Sequence, residues 1–92
     1  MTDAGLKELK KVKGLESLLL NDDAVTDDGL KELAGLKELR SLSLSGTRVT
    51  DAGLKELKGL GQLRLVLLHK MRVTPEGVAE LRKALPRCNI YH

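Results

Sequence analysis

The chain has 92 residues, 41% hydrophobic and 1% aromatic, with 16 Lys and Arg against 13 Asp and Glu, a formal net charge of +3. That length suits one small domain with limited capacity to bury surface, and with Tyr91 as the lone aromatic its core must be aliphatic. The longest apolar runs, Leu18-Leu19-Leu20 and Leu65 to Leu68, are too short for a membrane span or a secretory segment, and a single cysteine, Cys88, excludes an internal disulfide.

A reducing, cytoplasmic setting is therefore expected for the chain as it stands, with no membrane partner. The missing leader equally fits a piece excised from a longer protein. Charge drifts along the chain. Residues 1–24 carry four basic and five acidic groups, 25–48 four and four, 49–72 five and two, and 73–92 three and two. A nucleic-acid binder needs a denser basic stripe and, for single strands, aromatic platforms, so no nucleic-acid partner is expected.

Taken in order, the chain repeats itself. The heads Met1-Thr2-Asp3-Ala4-Gly5-Leu6, Val25-Thr26-Asp27-Asp28-Gly29-Leu30, Val49-Thr50-Asp51-Ala52-Gly53-Leu54 and Val73-Thr74-Pro75-Glu76-Gly77-Val78 open units at 1–24, 25–48, 49–72 and 73–92. A fixed period of this size marks a solenoid. Seven positions per unit hold the apolar residues, and only Arg87 and His92, in the last unit, depart from that grid.

Each unit reads as helix, turn, strand, turn. Thr2, Thr26, Thr50 and Thr74 are predicted helix N-caps, followed by Asp3, Asp27, Asp51 or Pro75 in the first turn, where an acid suits the helix dipole and proline suits the first position. Leu6, Leu9 and Val12 step by three, the spacing of one helix face. Gly35 and Gly59 are expected at helix C-termini, with Lys11 and Lys83 in that place in the outer units. Leu18 and Leu20, like Leu42 and Leu44, alternate as in a short strand. Gly5, Gly29, Gly53 and Gly77 recur inside the first helical turn, where glycine costs about 0.5–1 kcal/mol relative to alanine. Close approach of a neighbouring backbone would explain them, and so would plain inheritance from duplicated units.

The segment Leu39-x-x-Leu42-x-Leu44-x-x-Thr47-x-Val49, its counterparts from Leu15 and Leu63, the V-T-D-A-G-L-K-E-L head and the Leu85-Pro86-Arg87-Cys88-Asn89-Ile90 ending resemble the bacterial leucine-rich repeats of planctomycete-type proteins, in the helix-containing, ribonuclease-inhibitor-like class. The resemblance implies a right-handed α/β solenoid with a short parallel sheet on its concave face and helices on its convex face. It carries no shared active site. At the family's bridging asparagine stand Asp23, Thr47 and Met71, so the turn Leu68–Arg72 is expected to be looser than its counterparts. The last unit reads as a closing cap, whereas the first has none.

On that fold the strand face would present Ser17, Leu19 and Asn21; Ser41, Ser43 and Ser45; Leu65, Leu67 and His69; then Asn89 and Tyr91. Exposed leucines on a sheet signal a partner. The candidate interaction surface is therefore Leu19, Ser41, Ser43, Leu65, Leu67, His69 and Tyr91, used to dock a protein or a second copy through this face or the open N-terminal edge. A truncated or engineered repeat fragment that self-associates without an external ligand is the alternative.

Catalysis finds no support. Ser45 and His69 hold equivalent positions, but no orienting acid or nucleophile elbow accompanies them. His69, His92 and Cys88 lack metal-ligand spacing, no glycine loop cradles a phosphate, and no cofactor is expected. Cys88 reads as a packing residue. Helix charges such as Lys7, Glu8, Lys31, Glu32, Lys55 and Glu56 read as a solvated face.

Overall fold

Four threonines start the helices, as their chemistry dictates. In the computed structural model, which describes residues 2–21 and 24–92, the hydroxyl of Thr2 accepts from the Gly5 N–H, Thr26 from Asp28, Thr50 from Ala52 and Thr74 from Gly77. The helices are α1 (Asp3–Leu9), α2 (Asp27–Leu33), α3 (Asp51–Leu54) and α4 (Pro75–Ala84). A single 3-10 turn, Lys55–Leu57, continues α3. Between and after them lie β1 (Ser17–Leu19), β2 (Ser41–Ser43), β3 (Leu65–Leu67) and β4 (Asn89–Tyr91).

The strands form one parallel sheet in the order β1-β2-β3-β4. Their register follows the 24-residue period: Leu18 pairs with Leu42, Leu42 with Val66 and Val66 with Ile90. These central residues face inward. They share one aliphatic core with the helix residues Leu6, Leu30, Leu33, Leu54, Leu57, Val78 and Leu81. Neighbouring helices touch in sequence, α1 on α2, α2 on α3 and α3 on α4. One layer of helices thus covers one face of the sheet and leaves the other face to solvent.

The expected curved leucine-rich-repeat solenoid is corrected at this point. The chain folds to a compact body of 32 × 25 × 16 Å with a Cα radius of gyration of 11.6 Å. Four three-residue strands, about 4.8 Å apart, make a small open sheet, on which too few strands accumulate to wrap a concave face. The fold is a small α/β domain with a four-stranded parallel sheet.

Local departures have physical causes. Val12, on the apolar grid, is 45% exposed while its counterparts Leu36 and Leu60 are buried. Ala84, also on the grid, is exposed at the end of the longer α4, and the off-grid Leu85 takes the buried place. Gly35 follows the α2 cap Ala34 without a left-handed backbone; among the described residues only Gly14, Gly46 and Lys70 have positive φ. Lys10 rather than Lys11 caps α1, and α4 runs past Lys83.

At the position of the family's asparagine, the two described residues act locally. Thr47 is buried, but its hydroxyl donates to the Leu44 carbonyl at 2.7 Å and accepts from the Val49 N–H at 3.5 Å, both within its own turn. Met71 packs against the core edge. Met1 and Asp23, which belong to these sequence patterns, lie outside the described residues.

The recurrent acid does more than face a helix dipole. Asp3 accepts from both the N–H and the hydroxyl of Thr26, Asp27 from those of Thr50, and Asp51 from those of Thr74. Each carboxylate therefore clamps the N-cap of the next unit. This explains the glycines: a Cβ on Gly29 would run into the Asp3 carboxylate, on Gly53 into Asp27 and on Gly77 into Asp51. The close approach is by a side chain of the preceding unit, not by its backbone. Pro75, at the acid's position in the fourth unit, has no carboxylate to continue the series.

Candidate functional site

The solvent face of the sheet carries two side-chain rows set by the strand register. One runs Ser17, Ser41, Leu65, Asn89 and the other Leu19, Ser43, Leu67, Tyr91. In parallel strands, aligned residues of neighbouring units lie roughly 5 Å apart. Six of the seven sequence-predicted surface residues, Leu19, Ser41, Ser43, Leu65, Leu67 and Tyr91, thus come together on one face. His69 lies just beyond β3, in the turn that follows.

Their exposure differs. Leu19 is 68% and Tyr91 51% exposed, at the two edge strands, while Leu65 and Leu67 are half-buried between neighbours. Ser41 is half-buried too. Ser43 is corrected from surface to interior: at 4% exposure it is shut in between Leu19 and Leu67, and its hydroxyl donates to Asn21 Oδ1 at 2.8 Å. The face is an apolar row with a satisfied serine sunk in its middle.

Ser45 and His69 do meet, through the backbone. The His69 N–H donates to Ser45 Oγ at 3.1 Å and the Gly46 N–H to the His69 carbonyl at 3.0 Å, a turn-to-turn link in place of a nucleophile–base contact. Cys88 is half-buried, with its thiol directed at the Asn89 carbonyl at 3.7 Å. Burial pushes its pKa up, partly opposed by the Arg64 guanidinium. Among the described residues no group of three His, Cys, Asp or Glu side chains is placed to hold a metal ion, and no helix is long and apolar enough to cross a membrane.

The helix charges are not uniformly solvated. Glu32 pairs with Lys10 of the preceding unit at 2.6 Å, with its side chain only 16% exposed. A feature that nothing in the sequence singled out lies at the C-terminal ends of β2 and β3. There Thr47, Arg48, Thr50, Lys70 and Arg72 surround an open cavity of about 500 Å³.

No protein-family model matches the sequence, and no curated relative does either. A solved structure, described as that of the Chaetomium Mex67:Mtr2 subunits, is similar with a TM-score of 0.71 at 20% identity, over 98% of this chain and 69% of that one. At that identity the likeness is one of fold. It supports a small α/β domain in place of the leucine-rich-repeat solenoid that the sequence motifs suggested.

Proposed function

We propose that this domain is a non-catalytic protein-interaction module that docks a partner on the uncovered face of its sheet. The observation that carries the reading is the row Leu19, Leu67 and Tyr91, held in register on a face that no helix covers. Apolar side chains grouped on an open face cost solvation until a partner removes them from water. Similarity to a structure of named subunits agrees with an interaction role at a coarse level.

The test places a photo-crosslinking amino acid at Leu67 and, separately, at Lys31 on the helix layer. Capture of one defined protein from position 67, lost on Leu19→Lys, is expected. Equal labelling from both positions would overturn the reading. Self-association is the second reading, favoured by the outer edge of β1, which among the described residues pairs with β2 on its other side only. Light scattering over a range of concentrations separates it: a stable dimer broken by Leu19→Lys assigns the row to a second copy.

A further inference from the structure

The geometry points to the cavity of Arg48, Lys70 and Arg72 as a subsite for carboxylates on an acidic segment of the protein partner, an inference that rests on the interaction reading above. Arg48 and Arg72 hold equivalent positions in successive units, 24 residues apart, so two guanidinium groups project from adjacent turns. Among the described residues, the ion pairs join Lys10 to Glu32, Lys11 to Glu8, Lys31 to Asp28 and Arg40 to Glu16, and none reaches the cavity. Like charges gathered around one space repel, and an anion between them reverses the sign of that interaction.

Lys70 gives a second, independent sign. Its backbone is left-handed, with φ of 57°, and its equivalent in the preceding unit is Gly46, with φ of 82°. Glycine adopts that conformation freely and lysine does so at a cost. The chain therefore holds a cation at the rim in a place where its own repeat uses glycine, and strain of this kind is enriched at functional positions.

The cavity's position and size choose the ligand. Lys70 follows Leu67 by three residues, so the basic cluster borders the apolar row and the two form one apolar centre with a charged rim. About 500 Å³ is far more than one free oxyanion fills, and it suits an extended segment with several carboxylates. Single-stranded nucleic acid would need stacking platforms, and Tyr91 is the lone aromatic. Arginine forks match carboxylates bidentately.

The probe is a fluorescein-labelled polyglutamate peptide, followed by anisotropy at low and at physiological ionic strength. Lys70→Gly is expected to raise the thermal midpoint, by relieving the backbone, while weakening the peptide several-fold; Arg72→Ala should weaken it similarly, and Lys31→Ala on α2 should leave it unchanged. Equal losses in Lys70→Gly and Lys31→Ala would reduce the effect to general charge and overturn the assignment. So would displacement by inorganic phosphate at matched ionic strength, or tighter binding of a single-stranded oligonucleotide. If the peptide fails while crosslinking at Leu67 still captures its protein, the subsite alone falls. If crosslinking fails while the peptide binds at the cluster, the sheet-face reading falls.

Discussion

The Asp27 carboxylate receives two hydrogen bonds from Thr50, 23 residues later: the backbone N–H at 2.7 Å and the hydroxyl at 2.6 Å. The same hydroxyl then accepts from the Ala52 N–H at 3.3 Å. One acid thus secures the start of a helix in the next unit, through a threonine that is both donor and acceptor.

Removing that acid should be costly. Asp27→Ala deletes two charge-assisted bonds and frees a partly buried N–H, an expected loss of about 1–3 kcal/mol. Asp28→Ala next door removes only an exposed pair with Lys31 at 3.6 Å, with an expected change within about 0.5 kcal/mol. Urea unfolding of the two variants measures the difference, and equal effects would contradict the clamp.

Gly77→Ala should destabilise even though alanine is the better helix former by about 0.5–1 kcal/mol. The three nearest atoms that the new Cβ would meet all belong to Asp51. In an Asp51→Ala background the same change should therefore become neutral or favourable. The double-mutant cycle reads the coupling directly. Gly35→Ala, with nothing within 4 Å of its Cβ, should not destabilise in either background.

Two leucines separate core from surface. Leu30 is fully buried, so Leu30→Ala should cost about 2–5 kcal/mol through lost burial and a residual cavity. Leu19 is 68% exposed, and Leu19→Ala should leave thermal stability nearly unchanged.

Cys88 should react slowly. Its pKa is raised by burial, so at neutral pH it holds less thiolate than a free cysteine, and alkylation should lag behind that of a small-molecule thiol. Reactivity should climb as pH rises through and beyond the ordinary thiol range, in parallel with deprotonation. Mass spectrometry of iodoacetamide-treated protein against pH follows it.

How far this was legible follows from the range of each interaction. Thr2, Thr26, Thr50 and Thr74 bond within three residues, so the helix starts were readable from local chemistry, and the 24-residue period anticipated the strand register. Leu19 and Tyr91 were readable because they sit off the apolar grid. Fold class was named too finely, since a period reports recurrence and not curvature. The clamp by Asp27 escaped notice because its partner lies 23 residues away, leaving only the recurring glycines as a trace. Ser43 was misplaced because its burial depends on Leu19 and Leu67 in other strands, and Val12 because apolar spacing alone does not report burial. The cluster of Arg48, Lys70 and Arg72 is scattered over 25 residues of sequence and converges only in the fold.

The bonds from Thr26 to Asp3, Thr50 to Asp27 and Thr74 to Asp51 all point the same way along the polypeptide. Each acceptor is made before its donor. During synthesis, the carboxylate that anchors each helix start is made 23 residues ahead of the threonine that binds it. A break at Asp3, Asp27 or Asp51 removes the anchor of the one helix that follows it and leaves the other two clamps in place.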